Sequence, residues 1–573
     1  MILDDPATIE RQTRAGWWGR TTVHDLFEAC VAARPDQLAL VDAPNRASFT
    51  YGVPLELTFR EADVAVDRLA AAMLEAGVRR DSIVVVQLPN VVEIVLAFFA
   101  CARLGAIVSP VMMAYRERDL RRIIAHLKPV CVVGSTAFKQ QRPLDVLRPI
   151  CRDAGATLLE LGEGALADLS QGPFDATGLE RYVADLRVDA NDIVTMHWTS
   201  GTTGDPKCVP RSHNQWHGTG TCCTDVGRLQ PGDRLLAPMQ MVHTAGYSGL
   251  VMPWLEVQGT VFLHQPFDMA VFLEQLERHR IHHTVAAPAM LNALLRDRVL
   301  DAHDVSSLRT ILCGSAPLDP WMIEGFRDRH GIEIVNAFGS TEGLTLFSNA
   351  TIAEDSYARA RFFPRFRGTA HKPSTGRSWG VRIAAGIEGK LVDVETGREI
   401  TEPHVPGEYR FRSPALFPGY WTEQGTLDRR DFDDDGFFRT GELFEIAGSG
   451  EDADHYHYID RLKDVINRGG VKIPAGELEA AIQALPGIAE AAAVAFPDPR
   501  LGERTCAVVA LVPGATLTLE GLNRHLIEAG VATFMLPERL ELVEALPRNT
   551  NGKVLKRACV DALLARSSER AAG

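Results

Sequence analysis

SIVVVQLPN-VVEIVLAFFACARLG, residues 82–105, is the stretch that decides the fold class. Its first part is a short run rich in valine, and its second part is an apolar stretch of helical length. A further apolar run, AIVSPV, follows directly, and PVCVVG comes after a polar stretch of helical character that ends near His126. Strands and helices that alternate in this way predict a parallel β-sheet covered by helices.

The same alternation continues along the chain, with later strands predicted in DRLLAPMQM, TVFLHQ, HHTVAAP and TILCGSAPL. From about Val381 to Ile446 the predicted strands are short and are joined by turns rich in glycine and aspartate, which favours a small β-barrel. After residue 460 the pattern returns to helix, strand and helix.

We therefore predict an α/β protein with two domains. The large N-terminal domain, residues 1–460, would contain two parallel-sheet α/β subdomains plus the small β-barrel at about 381–446. A smaller α+β C-terminal domain, residues 461–573, would follow it.

The composition is that of an ordinary globular protein and limits the choice of partners. The 573 residues are 46% hydrophobic and 23% charged, with a net charge of −14. An acidic chain repels phosphate backbones, which speaks against nucleic acid as a partner, although local backbone amides can still hold a nucleotide. The longest apolar stretch, Ile94–Ala102, has nine residues, about half of a membrane span. The polar N-terminus and ten cysteines without a C-x-x-C pair lead us to expect a cytoplasmic protein with reduced thiols and no membrane insertion.

The segment Thr199–Lys207, TSGTTGDPK, carries most of the chemical information. It follows the apolar run DIVTMHW, and its hydroxyl groups and glycines predict a loop that wraps phosphate oxygens, to which Lys207 adds a positive charge. The spacing is not that of a Walker A loop, which places its lysine directly after the second glycine. Taken alone, the segment is also typical of an ordinary turn.

Other segments extend this candidate site. NAFGSTEG, Asn336–Gly343, offers the flat ring of Phe338 for a base, the hydroxyl of Thr341, and the carboxylate of Glu342 for Mg²⁺. CGSAPL, residues 313–318, lies at a predicted strand end, where open α/β sheets bind ligands. The ordered set is completed by FRTGE at 438–442, DRLKD at 460–464 with NRGG at 467–470, and PRNTNGK at 547–553.

These six segments, in this order, resemble those of the adenylate-forming superfamily of acyl-CoA synthetases, peptide-synthetase adenylation domains and luciferases. The resemblance covers about residues 20–565, and INRGG and LGERTCAVV look most like aryl-acid and medium-chain acyl activators. It implies an AMP-forming acid–thiol ligase that uses ATP, Mg²⁺ and coenzyme A. Such an enzyme converts a carboxylic acid into an acyl-AMP and then into an acyl-CoA.

The resemblance also implies roles for individual residues in nucleotide binding. Glu342 would carry Mg²⁺, Thr341 would touch the α-phosphate, and Lys553 would bridge the carboxylate and the α-phosphate while the adenylate forms. Phe338 would stack on adenine, and Glu442 would stand where relatives bind the ribose with an aspartate. The other implied nucleotide-binding residues are Thr199, Ser200, Gly201, Thr202, Thr203, Gly204, Lys207, Ser315, Ala316, Pro317, Asn336, Ala337, Gly339, Ser340 and Arg461.

Further residues are implied in the thiol step. Lys463 matches the hinge about which a mobile C-terminal domain would rotate between the two half-reactions. The rotation would withdraw Lys553 and present the side that carries Gly469, Gly470 and Lys472 to the coenzyme A thiol.

The acyl pocket is implied around His243, which also counts among the catalytic candidates. Small residues, among them Ser315 and Gly343, favour a bulky acyl group, while Thr244 in place of an asparagine after His243 disfavours 2-hydroxybenzoates. The implied lining residues are His243, Gly246, Tyr247, Gly314 and Gly339.

Three residues depart from the family pattern, and all three bear on ATP rather than on the thiol. Glu442 is one methylene longer than aspartate, Asp205 adds a carboxylate to the phosphate loop, and Cys208 stands in place of a small glycine. Three alternatives therefore stay open. The protein could load an acyl group onto a carrier protein, perform mainly the thioester-forming half on a preformed acyl-AMP, or bind a nucleotide or acyl group without catalysis.

One basic segment is expected to form a surface loop. It contains Arg359, Arg361, Arg365 and Arg367, which we expect in a solvated or partner-facing loop, with contact to a coenzyme A phosphate as the less favoured alternative.

Overall fold

The computed structural model describes residues 1–162, 173–199, 206–368, 379–548 and 554–572, with side chains in the last helix up to residue 565. The chain divides into two compact units. The large unit contains residues 1–389 and 411–438, and the small unit contains residues 390–410 and 439–573. This division differs from the predicted limits, 1–460 and 461–573, because residues 390–410 and 439–460 pack with the C-terminal part of the chain.

The described strands, in chain order, are β1 (Leu38–Val41), β2 (Glu56–Thr58), β3 (Ile83–Gln87), β4 (Ile107–Pro110), β5 (Cys131–Ser135), β6 (Thr157–Leu161), β7 (Ile193–Thr199), β8 (Lys207–Ser212), β9 (Arg234–Ala237), β10 (Thr260–Leu263), β11 (His283–Ala286), β12 (Thr310–Gly314), β13 (Glu333–Gly339), β14 (Thr345–Ser348), β15 (Phe362–Pro364), β16 (Glu388–Val392), β17 (Glu399–Ile400), β18 (Gly407–Arg412), β19 (Tyr420–Trp421), β20 (Leu427–Asp428), β21 (Phe438–Ile446), β22 (His455–Arg461), β23 (Ile466–Arg468), β24 (Val471–Ile473), β25 (Ile488–Asp498), β26 (Gly502–Leu511) and β27 (Arg539–Val543).

The described α-helices are α1 (Pro6–Arg14), α2 (Val23–Ala33), α3 (Phe59–Glu75), α4 (Val92–Arg103), α5 (Glu117–Leu127), α6 (Pro143–Ala154), α7 (Ala176–Asp185), α8 (His213–Val226), α9 (Thr244–Gly246), α10 (Met252–Val257), α11 (Met269–Arg278), α12 (Pro288–Arg296), α13 (Pro320–His330), α14 (Ser356–Arg361), α15 (Ala475–Gln483), α16 (Leu519–Glu528) and α17 (Lys556–Ala572). A π-helical turn, Tyr247–Val251, joins α9 to α10.

The large unit contains two eight-stranded sheets. The strand order is β14-β13-β12-β11-β9-β10-β1-β2 in the first sheet and β20-β19-β8-β7-β4-β3-β5-β6 in the second. Neighbouring strands are parallel in the centre of both sheets. Antiparallel pairs lie at both edges of the first sheet and at the β20 end of the second, whose other edge pair, β5–β6, is parallel. The predicted α/β class with two parallel-sheet subdomains is confirmed.

The opening stretch of the sequence folds as its pattern predicts. Residues 83–87 form β3, which is parallel to β4 and β5, and residues 92–103 form α4. Every residue of α4 is buried, and Phe99 stacks on Phe27 of α2 with ring centroids 4.5 Å apart. A helix that is apolar on all sides is a core helix, because it has no face to present to water.

The segment for which we predicted a β-barrel forms a more dispersed structure. Strands β16, β17, β18, β21 and β22 belong to one sheet that reaches residue 461, beyond the predicted end at 446. Residues 420–428, which the prediction includes, form β19 and β20 of the second large sheet. Backbone bonds from Gly368 to Ile387 and from Gly389 to Phe366 tie the start of the predicted segment to the chain before it.

The small unit also contains the C-terminal sheet, in which β26 pairs with β25, β23 and β27. Strand pairs there are antiparallel except β26–β27. Leu478 and Ile482 of α15 pack with Leu522 and Leu526 of α16 in its core. This agrees with the predicted smaller α+β part.

Two expectations about side chains have opposite outcomes. All ten cysteines are buried and free. The basic segment is not simply a solvated loop, because Arg359 and Arg365 are buried and the Arg359 guanidinium donates to the carbonyls of Ala353 and Glu354 at 3.0 and 2.9 Å.

In the described part of the chain, the helices are too short or too polar to cross a bilayer.

Candidate nucleotide and acyl site

The candidate site begins at the carboxyl ends of two neighbouring parallel strands. β12 and β13 pair in parallel, with Gly314 opposite Ala337, so the residues that follow both strands lie at one sheet edge. Ser315, Ala316 and Pro317, which follow β12, are exposed. The edge is therefore open at the place where a ligand would approach the sheet.

The backbone at this edge is constrained. Ser315 has φ of 72°, a left-handed conformation that costs a non-glycine residue about 1–2 kcal/mol. At Gly314 an added Cβ would lie 2.1 Å from the carbonyl oxygen of Ala337, so only glycine lets the two strands approach this closely.

Thr341 and Glu342 lie on the loop of a β-hairpin. β13 and β14 are antiparallel with Gly339 opposite Thr345, and the Ser340 amide donates to the Leu344 carbonyl at 3.0 Å. Gly343 has φ of 110°, and a Cβ there would lie 2.0 Å from the carbonyl oxygen of Ala415. The hairpin loop is thus seated directly against the chain near residue 415.

A tyrosine connects the Glu342 carboxylate to Lys207. The hydroxyl of Tyr420 donates to Oε1 of Glu342 at 2.7 Å, and Nζ of Lys207 lies 4.2 Å from the centroid of the Tyr420 ring. Lys207 also donates to Oδ2 of Asp431 at 2.9 Å. A cation suited to phosphate thus lies over the face of one aromatic ring, and a carboxylate suited to a metal lies at the hydroxyl of the same ring.

A buried arginine holds the hairpin loop from the protein interior. Arg211 has no exposed surface, and its guanidinium donates to the Thr341 carbonyl at 3.1 Å, to the Gln215 carbonyl at 3.0 Å and to Oγ1 of Thr219 at 2.7 Å. It also stacks on Trp216, 4.5 Å from the ring centroid. These contacts fix the backbone that carries Glu342 to β8 and α8.

The charge of Arg211 is maintained although it is buried. Burial lowers its pKa to about 9, and the carboxylates of Glu342 and Asp4 oppose that shift. Asp4 accepts from the Gln215 amide at 2.9 Å. At neutral pH the arginine is therefore a cation beside the Glu342 carboxylate.

His197 on β7 is a buried polar residue next to the predicted acyl pocket. Its Nδ1 lies 3.1 Å from Oγ1 of Thr195, which also accepts from the Trp216 indole at 3.0 Å. The indole is only a donor, so the Thr195 hydroxyl accepts from it and donates to Nδ1. This places the single ring proton of the neutral His197 on Nε2. Nε2 has no hydrogen-bond partner among the described residues.

Several residues predicted to line the acyl pocket pack closely against the protein itself. Tyr247 is buried with ring centroids 4.9 Å from both Phe98 and His197, so it belongs to an aromatic cluster. Position 246 requires glycine because an added Cβ would lie 2.8 Å from the Met241 backbone. Close backbone contacts explain Gly314 and Gly343 in the same way, and the acyl pocket stays a prediction.

His243 lies between a strand and a short helix. β9 ends at Ala237, earlier than the predicted end at Met241, and His243 is the residue before α9. Its backbone carbonyl accepts from the Gly246 amide at 2.9 Å. Its side chain is partly buried, and its role toward an acyl group stays a prediction.

The predicted adenine-binding residues of β13 separate into two groups. Phe338 and Ala337 are partly exposed, with the Phe338 ring edge-on to Phe363 at 5.9 Å. Asn336 is buried, and its amide nitrogen donates to the carbonyls of Arg359 and Ala360 at 3.1 and 2.9 Å. Its donors anchor α14 and are not available to adenine.

Several predicted residues lie outside the described part of the chain. Thr199 and Lys207 face each other across β7 and β8, but the segment between them does not belong to the described residues. The same holds for Lys553. The undescribed candidates of the phosphate loop are Ser200, Gly201, Thr202, Thr203, Gly204 and the departing residue Asp205.

Cys208, another departing residue, lies in β8 rather than in the loop. It is buried in the core of the second sheet and pairs with Trp198 and Trp421. Its position explains it as a core residue of β8.

Glu442, the third departing residue, lies in the small unit opposite Arg461 on β21 and β22. Nε of Arg461 is 3.3 Å from Oε1 of Glu442, and the hydroxyl of Tyr458 donates to Oε2 at 3.2 Å. Burial raises the pKa of Glu442, and Arg461 and Tyr458 oppose that shift. Both carboxylate oxygens are thus engaged within the small unit.

The predicted thiol side forms a tight turn. Gly469 and Gly470 join β23 to β24 with φ of 60° and 92°, as a two-residue hairpin turn requires. Both are exposed, and Lys472 pairs with Glu395 at 2.8 Å on the surface. Lys463 lies in a single 3₁₀ turn between β22 and β23.

Comparisons with known proteins match two parts of the chain. The model of the AMP-binding enzyme family matches residues 27–421, and the model of the AMP-binding enzyme C-terminal domain matches residues 477–553. The chain belongs to the AMP-binding enzyme family. This confirms the predicted adenylate-forming superfamily.

Two relatives and one solved structure illustrate the similarity. The chain is 30% identical to a medium-chain fatty-acid–CoA ligase of Escherichia coli over 96% of this chain and 92% of that protein. It is 30% identical to a 2-hydroxy-7-methoxy-5-methyl-1-naphthoate–CoA ligase of Streptomyces carzinostaticus over 97% of this chain and 95% of that protein. ATP-bound MatB from Rhodopseudomonas palustris has the same fold, with a TM-score of 0.75 and 24% identity over 95% and 99% of the two chains.

These relatives confirm the predicted enzyme class, an AMP-forming acid–thiol ligase. The residues that sequence reasoning missed are Arg211, Tyr420, Asp431 and His197. The contacts of Arg211, Tyr420 and Asp431 at the site join residues distant in sequence, whereas His197 bonds Thr195, two residues away on β7.

We predict that Gly343→Ala lowers the free energy of unfolding by about 1–3 kcal/mol and slows any reaction that uses Glu342. The added Cβ meets the backbone of residue 415 and must displace the hairpin loop. Gly331→Ala is the matched control, because Gly331 has φ of 67° but no atom within 4 Å of an added Cβ. Equal losses of stability and activity in Gly343→Ala and Gly331→Ala would show that the contact with the backbone of residue 415 is not the cause.

We also predict that His197 makes the protein sensitive to acid. Burial, with Arg211 and His243, lowers the pKa of His197 to about 3. The unfolded chain takes up a proton below about pH 6.5 while the folded ring stays neutral, so stability falls as pH falls through that window. Urea unfolding of wild type and His197→Gln is measured between about pH 6 and 4. As pH falls, the free energy of unfolding of the wild type should decrease more steeply than that of the variant, by about 1.4 kcal/mol per pH unit. Parallel curves would contradict this.

Proposed function

We propose that the protein is an acyl-CoA ligase which joins a carboxylic acid to ATP, releases pyrophosphate, and transfers the acyl group from acyl-AMP to coenzyme A. The observation that carries the proposal is the linkage of Lys207 to Glu342 through Tyr420. It supplies a positive charge for phosphate and a carboxylate for a metal beside the open edge at Ser315–Pro317.

The chemistry needs two steps. A carboxylate repels nucleophiles, and its oxygen is a poor leaving group. Attack of the carboxylate on the α-phosphorus of ATP forms the acyl–phosphate bond and expels pyrophosphate. The coenzyme A sulfur then attacks the acyl carbon, and AMP leaves with the oxygen that came from the acid.

The residues around Glu342 fit a magnesium ion. The described residues contain no group of three or more His, Cys, Asp and Glu side chains placed to hold a metal. Mg²⁺ is commonly held by one or two carboxylates together with substrate phosphates and water, so Glu342 with a triphosphate is a suitable donor set. The ion would neutralise charge on the phosphates, and Lys207, over the Tyr420 ring, would supply a second positive charge to the same phosphates.

The roles of the remaining residues are part of the proposal. Lys553 would stabilise the charge that builds up on the α-phosphate, and Phe338 would contact adenine. Glu442 would bind the ribose, for which its bonds to Tyr458 and Arg461 hold it in one orientation. Lys463 would act as the hinge and Gly469–Gly470 would serve the thiol step.

The acid is proposed from the residue that follows His243. Thr244 after His243 supports an acid other than a 2-hydroxybenzoate. The ten buried free thiols support a cytoplasmic location.

The test assays the two half-reactions separately. ATP–pyrophosphate exchange is measured with a panel of aliphatic and aromatic acids, and thioester formation is measured from synthetic acyl-AMP with coenzyme A or a carrier protein. Exchange together with acyl-CoA formation supports the proposal. If thioester forms from acyl-AMP but no exchange occurs, the protein catalyses only the thiol half-reaction. If the carrier protein is preferred over coenzyme A, the protein loads a carrier. If both activities are absent, the protein binds a nucleotide or acyl group without catalysis.

We predict that Lys553→Ala slows exchange by about 10²–10³-fold or more and largely spares thioester formation from supplied acyl-AMP. Its charge is needed only where pyrophosphate is expelled. The two rates are measured on the same preparation, with Lys556→Ala as a control because Lys556 pairs with Glu479 outside the proposed roles.

Lys463→Pro gives the complementary measurement. A restricted hinge should slow the complete reaction more than either half-reaction assayed alone. Equal losses in both half-reactions for Lys553→Ala would contradict the separate roles.

A further inference from the structure

We propose that Tyr420 is a positioning residue that orients the Glu342 carboxylate for the metal and holds the Lys207 ammonium for the triphosphate, with Asp431 retaining Lys207 until the triphosphate displaces it. This inference rests on the proposed adenylation activity. It concerns only residues of the large unit, all within the described part of the chain.

The position of Tyr420 is set by the sheet rather than by a loop. β19 pairs with β8 through Trp421 and Cys208, which are the neighbours in sequence of Tyr420 and Lys207. The Tyr420 ring is 8% exposed and lies edge-on to Phe417, with centroids 4.8 Å apart. A ring fixed in this way can hold other groups in place.

The hydroxyl of Tyr420 leaves one oxygen of Glu342 for a ligand. It donates to Oε1 at 2.7 Å, and among the described residues no hydrogen bond reaches Oε2. A phenol has an ordinary pKa of about 10, so the Tyr420 hydroxyl is a donor at neutral pH. The hydrogen bond therefore fixes the carboxylate plane while Oε2 stays available to a cation.

The same hydrogen bond strengthens the hold on Lys207. A phenol that donates to a carboxylate gains electron density in its ring, and a ring face richer in electrons attracts an ammonium more strongly. Nζ of Lys207 is 4.2 Å from that ring centroid. The positions of the phosphate-binding cation and the metal-binding carboxylate are thereby linked through one side chain.

Asp431 completes the arrangement. Its carboxylate is 2.9 Å from Lys207, but both side chains are about 40% exposed, at 43% and 40%. An exposed ion pair is weak, so a triphosphate with several negative charges can replace Asp431 at little cost. The pair keeps the lysine over the ring and does not block the nucleotide.

The deciding variant is Tyr420→Phe, which keeps the ring and removes the hydroxyl. We expect the Mg²⁺ concentration for half-maximal ATP–pyrophosphate exchange to rise about 10-fold, since a hydrogen bond to a charged group is lost. Thioester formation from acyl-AMP should stay within about 2-fold of wild type. Tyr182→Phe is the matched control, because its hydroxyl bonds the Leu104 carbonyl away from this site.

A second readout does not depend on turnover. Mn²⁺ is titrated into protein with ATP and without acid, and bound Mn²⁺ is followed by electron paramagnetic resonance. We expect about 10-fold weaker Mn²⁺ binding in Tyr420→Phe and wild-type binding in Tyr182→Phe. Asp431→Asn should lower the ATP KM of exchange about 2–5-fold, because a competing carboxylate is removed.

The outcomes separate this inference from the proposed function. Wild-type protein without exchange on any acid would overturn the proposed adenylation. If the wild type catalyses exchange and Tyr420→Phe has the same Mg²⁺ and Mn²⁺ dependence as the wild type, only the positioning role is overturned. Equal losses in the thioester half would also overturn it, since they indicate a general structural effect, and a raised ATP KM in Asp431→Asn would overturn the displacement by triphosphate.

Discussion

Parallel pairing of buried strands is the constraint on which the other features of the large unit depend. Parallel neighbours such as β12 and β13 must end at the same edge of the sheet, so the residues that follow them are brought together however distant they are in sequence. Helices such as α4 must then cover the sheet, and every residue of α4 is accordingly buried. The open carboxyl edge is what remains for a ligand.

Two largely buried side chains hold the candidate site at this sheet edge. Arg211 enters from β8 without any exposed surface and holds the Thr341 carbonyl, while Tyr420 approaches from β19 and holds the Glu342 carboxylate. At Gly343 the hairpin loop lies so close to the Ala415 backbone that it cannot move toward it. An acyl–phosphate reaction needs groups fixed in advance around developing charge, and this arrangement provides them.

Much of the fold and part of the site could be predicted from sequence, for local reasons. The valine-rich run of β3 and the apolar α4 have the pattern of a covered parallel strand and a core helix, and TEG after β13 identifies the carboxylate. Arg211, Tyr420 and Asp431 could not be predicted, because their contacts join residues 130, 78 and 224 positions apart. The close backbone contacts of Gly246 and Gly314 could not be predicted either, because in a sequence a glycine required by a neighbouring backbone looks the same as one that leaves space for a ligand.

The central claim is that the acid is activated through a bond between its own oxygen and the α-phosphorus of ATP. An acid labelled with oxygen-18 in its carboxyl group tests this directly, with AMP and pyrophosphate recovered after a complete reaction and analysed by mass spectrometry. The account predicts one labelled oxygen in AMP and none in pyrophosphate. Label in the pyrophosphate, or acyl-CoA formed with unlabelled AMP, would contradict it.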